Sequence, residues 1–368
     1  MRYCSLVIVY LLLSLASFAQ NQKMGDNATD TLPKPEEKHL LAFPFILRSQ
    51  ETSWGFGGIM AVFFKPKMLD SSVRTSDVNF LALYTLRKQQ IFVANSTIYF
   101  PHENEIIHFQ SSYSYFPDDF WGLGNGTPQI DKTAYTQHQF LINVEFLQRI
   151  VDKLYAGVNY LYQNTSNITA ATDSTFNNII GFNGGNVSGI GPMLSWDSRN
   201  ASYSPTAGFF AEIKYAFFDS HIGSNFNFSM FDADVRKYIS LTESKNTILA
   251  LQGIASFRSG DVPYRQLAKL GGTDMMRGFY AGRFTDKNLM AAQAEVRQHL
   301  FWRVGAVAFG AMGEVGPTLK DFYLSQMHYS YGAGLRFALS QQEKLNLRID
   351  YGRTLHTSTV NLQIREAF

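Results

Sequence analysis

The chain has 368 residues, with 32 Lys and Arg against 30 Asp and Glu, a net charge of only +2, and no basic cluster of the kind nucleic acid requires. Charged residues make up 17% of it, where soluble domains average about a quarter, yet aromatic residues reach 15%, with 31 Phe and 19 Tyr. With a mean hydropathy of −0.12, this is the balance expected of strands that alternate polar and apolar residues between aromatic girdles.

Residues 1–19 have a charged start at Arg2, an apolar run from Leu6 to Leu15 and a small-residue site at Ser17-Phe18-Ala19, the pattern of a secretory signal peptide. The run is too short to span a bilayer as a helix. Cys4, the sole cysteine, lies within this leader, so the mature chain is expected to carry no thiol for disulfide, metal or nucleophile chemistry. Residues 20–40 are polar, with two prolines, and read as a short periplasmic tail. From Leu41 no run of about 18 apolar residues occurs, and no helical period is found.

Residues 41–368 read instead as one domain of strands. The expected strands are Leu41–Arg48, Trp54–Lys65, Val78–Arg87, Ile91–Phe100, Ile106–Phe116, Tyr135–Gln148, Lys153–Gln163 and Val187–Trp196. Then follow Gly208–Phe218, Phe226–Ile239, Thr247–Phe257, Asn288–Leu300, Arg303–Gly313, His328–Leu339, Leu345–Tyr351 and Ser358–Phe368. They total sixteen, an even number as a closed bacterial barrel needs. Tight turns alternate with long loops at Pro117–Ala134, Asn164–Asn186, Ser259–Lys287 and Glu314–Met327. The fold class predicted is all-β: a single antiparallel transmembrane barrel with both termini in the periplasm.

Parity is clearest late in the chain. Leu345, Leu347, Ile349 and Tyr351 are expected to face lipid, with Asn346, Arg348 and Asp350 in the lumen. At the end, Val360, Leu362, Ile364 and Phe368 alternate with Asn361, Gln363 and Arg365. A terminal Phe368 after such alternation resembles the C-terminal signal of outer-membrane barrels, from which Glu366 departs.

The loop from Ser259 to Lys287 is rich in Gly and charge, too long for an ordinary connection and too distinctive for a spacer. It is expected to lie in the lumen and block it. Within it stand Leu270-Gly271-Gly272, Met276-Arg277-Gly278-Phe279 and Gly282-Arg283-Phe284, followed by Glu295 in an Ala-Glu-Val-Arg strand. These motifs, in this order, resemble the BamA/TamA superfamily of outer-membrane barrels, whose Val-Arg-Gly-Phe/Tyr loop motif matches Met276 to Phe279. Trp196-Asp197-Ser198-Arg199 with Pro205-Thr206-Ala207-Gly208 is similar to a strand-and-turn pattern of the same superfamily.

The resemblance implies a bacterial outer-membrane location and a role in inserting or moving proteins. It implies that the loop folds inward and that Arg277 pairs with wall carboxylates, Glu295 being the first. The second, an Asp on the next strand, is replaced by Ala311, and either Asp350 or Asp197 is available instead. It implies no cofactor. Periplasmic POTRA domains usually precede such barrels, and residues 20–40 are too few for one, so a separate periplasmic partner is expected beside client outer-membrane proteins and the surrounding lipid. The alternative is a passive or gated pore. None of the eight His stands in a Gly-x-Ser-x-Gly elbow, a His-Glu-x-x-His helix or a metal-ligand cluster, so no enzyme is expected. His102 and His108 flank a turn, and His299, on the face of Glu295, reads as part of a lumenal polar network.

Overall fold

The computed structural model describes residues 39–49, 53–65, 73–128, 132–170, 179–340 and 344–368. The expected leader and tail thus lie outside the described residues, except for the last two tail positions, which open the first strand. Every long strand pairs antiparallel with its neighbours around a closed sheet. In chain order they are β1 (His39–Ser49), β2 (Ser53–Phe64), β3 (Ser76–Thr85), β4 (Gln90–Tyr99) and β5 (Glu105–Tyr115). The short β6 (Asp118–Phe120) sits on β7 (Thr133–Val151), followed by β8 (Leu154–Ala170), β9 (Gly185–Asp197), β10 (Gly208–Phe218), β11 (Phe228–Ser240) and β12 (Thr247–Gly260). The short β13 (Ala268–Leu270) and β14 (Phe284–Asp286) pair with each other. The wall closes with β15 (Asn288–Phe301), β16 (Val304–Gly316), β17 (His328–Ser340), β18 (Leu345–Arg353) and β19 (Ser358–Ile364). Without the three short strands, sixteen form the barrel.

Alternation places the side chains. Met60, Phe80, Phe92, Ile190, Ile213, Val235, Val296 and Ile349 are exposed on the outer face, where lipid meets them. Tyr84, Tyr113, Tyr329 and Tyr351 stand near the long-loop rim, and Trp196, Phe301 and Trp302 near the short-turn rim, the two interfacial belts expected of amphipathic rings. Inside, Gln293, Glu295, Arg336, Arg348 and Asp350 are buried.

Three expectations are corrected. The β7–β8 hairpin runs beyond its expected ends at Tyr135 and Gln163, to Thr133 and Ala170. Its upper part, Asn164–Ala170, has only Ile168 and Ala170 as apolar residues, both packed toward the cluster around Phe120 and Tyr264, so no alternation marks it as strand. The long loop is not devoid of strand, since Ala268 pairs with Asp286 and Leu270 with Phe284.

The last strand ends at Ile364 rather than Phe368. Arg365 adopts a left-handed conformation (φ 75°) and reverses the chain, sending the terminus inward. Phe368 therefore does not face lipid: it is buried against Tyr238 and Ala250, with the Arg297 guanidinium 4.9 Å from its ring centroid. Glu366 explains the turn. Its carboxylate accepts from Arg336 Nε (2.7 Å) and Asn346 Nδ2 (2.7 Å), a buried pairing that an apolar residue there would not make.

If the long-loop rim is extracellular, a cysteine placed at Lys320 should react with a membrane-impermeant maleimide on intact cells. One at Ser244, in the β11–β12 turn, should react only after the outer membrane is opened; the reverse pattern would invert the barrel.

Candidate functional site

The loop between β12 and β15 turns down into the barrel. Met276 (φ 56°) and Gly278 (φ 116°) bracket Arg277 in left-handed conformations, which bends the chain sharply and drives the arginine toward the wall. The approach is tight. A Cβ on Gly278 would stand 3.0 Å from the Arg353 nitrogen, and one on Gly352 would stand 2.6 Å from the Arg277 carbonyl carbon. Glycine at 278 thus answers both a backbone angle and a steric limit, while glycine at 352 answers the steric limit alone.

Arg277 has no exposed side-chain surface. Its Nη2 pairs with Glu295 Oε1 of β15 and approaches Gln293 Oε1 at 3.4 Å, while its Nη1 donates to Asp350 Oδ2 of β18 at 2.9 Å. Beneath the guanidinium lies the Phe309 ring of β16, 3.5 Å from carbon Cζ to centroid. Each carboxylate is shared. Glu295 Oε2 accepts from Arg297 Nε (2.8 Å), and Asp350 accepts from Arg336 Nη1 (2.5 Å) and Arg348 Nη1 (3.1 Å). Arg348 also pairs with Asp274 of the loop, and Arg336 with Glu366. Four arginines thus meet four side-chain carboxylates, Glu295, Asp350, Asp274 and Glu366, and these side-chain charges balance. A buried ion taken singly costs several kcal/mol, and shared pairing is what offsets that cost.

The loop tip is held at more than its arginine. Thr357 Oγ1, in the β18–β19 turn, donates to the Gly278 carbonyl at 2.6 Å. Phe279 packs edge-on to Phe284 (5.5 Å) and His328 (5.8 Å), while Met276 is fully buried with Leu270, Leu289 and Val315. Farther out, Tyr280 Oη donates to Asp118 Oδ1 (2.8 Å), and Arg283 donates to Thr127 through both terminal nitrogens (2.8 and 2.7 Å). Burial pushes the Arg283 guanidinium pKa down, and its 4.4 Å stacking over Phe284 suits a cation shed of water.

The candidate residues separate accordingly. Met276, Arg277, Gly278, Phe279, Glu295 and Asp350 are brought together, and Asp350 is the second carboxylate. Asp197 is not part of the knot. At the foot of β9 it accepts from Arg199 Nε (2.9 Å) and from Arg74 Nη1 (2.5 Å) of the β2–β3 loop, tying that loop beneath the barrel. Phe368 lies at the short-turn end of the barrel, reached from Glu295 through Arg297, whose Nη2 donates to the Phe368 main-chain oxygen at 2.9 Å. His299 is exposed at the end of β15, whereas His108 lies inside, 3.2 Å from Thr97 Oγ1. Sequence reasoning did not single out Asp274, Arg336, Phe309 or Thr357. Of these only Arg336 carried a signal, a charge at an inward position of β17.

A closed antiparallel wall whose long sixth outer loop is pinned inside by an arginine defines an outer-membrane β-barrel with an inward-folded loop. The sequence matches the Omp85 superfamily domain over residues 92–363, and the chain belongs to that superfamily of bacterial outer-membrane proteins. Among solved structures it is similar to BamA from Haemophilus ducreyi lacking POTRA domains 1–3, at TM-score 0.59 and 12% identity, covering 89% of this chain and 70% of that one. It is also similar to CdiB from Acinetobacter baumannii, at TM-score 0.60 and 13% identity, covering 91% of this chain and 60% of that one. CdiB from Escherichia coli gives TM-score 0.60 at 10% identity, covering 90% and 67%. At these identities the likeness is one of fold. No curated protein matches the sequence.

Removing one partner of a buried pair costs about 3–5 kcal/mol, so Arg277→Ala should lower the heat-unfolding temperature of the barrel clearly. Glu295→Gln should act the same way, and the double variant should fall short of the sum by roughly 0.5–3 kcal/mol. Strict additivity would mean that the two side chains do not meet.

Proposed function

We propose that this barrel inserts client proteins into the outer membrane or passes them across it, with the junction of β1 and β19 as its working edge. The observation that carries the reading is the weakness of that junction. Among the described residues, β1 and β19 share the single register pair Arg48↔Leu362. On its other side β19 holds a continuous ladder with β18, from Leu347↔Ile364 to Arg353↔Ser358. Counting down from the single pair sets Ile46 opposite Ile364, the last residue of β19. Among the described residues, the edge of β1 from His39 to Phe45 then has no strand beside it. Unpaired strand edges are where chains join or part at least cost.

The knot gives this edge a fixed side. Arg277, Asp350 and the Thr357 bond hold β18 and β19 to the loop, so any parting falls between β19 and β1. A passive pore fits less well, because the loop folds into the lumen and is pinned to its wall.

Two cysteines at Arg48 and Leu362, oxidised to a disulfide in a Cys4→Ser chain, should abolish function. The readout is the outer-membrane protein content of cells depleted of the native chain. Reduction should restore it. Full function with the junction locked would remove the edge from the mechanism.

A further inference from the structure

The two sides of the lumen differ in kind. From β15 to β18 the inner wall is charged and covered by the loop. Across the upper part of β1–β4 it is apolar, and among the described residues no loop contact covers it.

The inward face of β1–β4 follows from the register. Asp77, Thr97, His108 and Glu145 form one row across β3, β4, β5 and β7, and Glu145 accepts from Lys214 Nζ of β10 at 2.6 Å, a bond only the lumen can hold. Two residues up the strands the same face carries Leu41–Ala61–Asn79–Asn95; four and six residues up it carries the row Phe43–Ile59–Leu81–Val93, then Phe45 and Leu83 to either side of Gly57. In these two upper rows all of these except Gly57 are large and apolar, and all but Leu83 keep part of their surface open to the lumen. Among the described residues, none of the buried apolar clusters draws on β1, β2 or β3. The outer face of these strands is apolar too, with Met60, Phe80 and Phe92 exposed. Strands of a water-filled barrel alternate apolar-out and polar-in. Here β1 and β2 do not alternate at all.

We propose that this inner wall is a site for the acyl chain of a bilayer phospholipid, which reaches it around the bare edge of β1. The inference rests on the reading of the β1–β19 junction as an opening. Continuity carries it: the apolar outer wall meets lipid, the apolar inner wall lies directly behind it, and among the described residues the strand that separates them has no neighbour on its β19 side along His39–Phe45. A hydrocarbon chain covers such a wall without needing hydrogen bonds. An incoming β-strand fits this edge less well, because the ladder between β1 and β2 runs unbroken through Pro44↔Gly58. A proline in a strand is tolerated where its missing N–H faces an open edge, so the β1 edge lacks a donor at that point. Lipid in this place would give a client leaving the lumen an apolar path before it enters the bilayer.

The test places p-benzoylphenylalanine, which captures only what it touches, at Leu81 on the inner wall, at Phe80 on the outer wall and at Asn95, an inward polar position. The folded barrels are irradiated in phosphatidylethanolamine–phosphatidylglycerol vesicles and weighed intact. A phospholipid adduct at 81 comparable with that at 80, and none at 95, is expected. Loss of the adduct at 81 while that at 80 persists overturns the proposal, as does capture of polypeptide in place of lipid at 81 in cells. If the variant at 81 loses its heat-modifiable mobility, Val93 in the same row takes its place. Oxidising the R48C/L362C pair separates the two claims. An adduct at 81 that then disappears supports entry over the β1 edge. One that persists keeps the acyl site and overturns the opening on which the proposed function depends.

Discussion

Everything in the C-terminal half of this barrel follows from one buried guanidinium. Arg277 enters the lumen on a loop with no surface left to water, and a cation there is tolerated only among carboxylates. Glu295 and Asp350 stand on strands separated by β16 and β17, so satisfying one arginine fixes the spacing of four strands. Each carboxylate then needs its own further partners, which recruit Arg297, Arg336 and Arg348. Through Arg297 and Arg336 the pairing extends to Phe368 and Glu366, so the inward-folded loop and the residues that follow β19 belong to one electrostatic network.

That network makes the barrel lopsided. From β15 to β19 the wall is braced by loop, ion pairs and terminus. From β1 to β4 the wall takes no part in that network. The weak junction falls where the two regimes meet, and the inward turn at Arg365 makes it weaker by removing the residues that would have continued β19 alongside β1. A single residue at a left-handed angle thus brings the Phe368 main-chain oxygen to Arg297 and, among the described residues, leaves the edge of β1 bare.

The wall was legible in the sequence, because lipid on one side and water on the other impose a period of two wherever a strand crosses the membrane. It failed at Asn164–Ala170, where Ile168 and Ala170 pack toward the outer loops instead of lipid and the period of two is lost; β1 was found despite being apolar on both faces. Within the knot, Arg277 and Glu295 were legible through the resemblance of the loop motif. Asp350 remained one of two options, since parity set it inward without saying which inward carboxylate the loop would reach. Phe309 was hidden because an apolar residue at an inward position carries no sign of the cation above it. Phe368 misled because alternation was carried past Ile364, and only the pairing of Glu366 with Arg336 and Asn346 shows why the chain turns.

The central claim is that Arg277 holds the C-terminal side of the junction in place. Hydrogen–deuterium exchange on the folded barrel with Arg277→Ala tests it most directly, peptide by peptide. The account predicts faster exchange in residues 345–368 than in the parent, with β4 to β9 unchanged. Exchange that stays at the parent level in 345–368, or that rises evenly around the whole barrel, would contradict it.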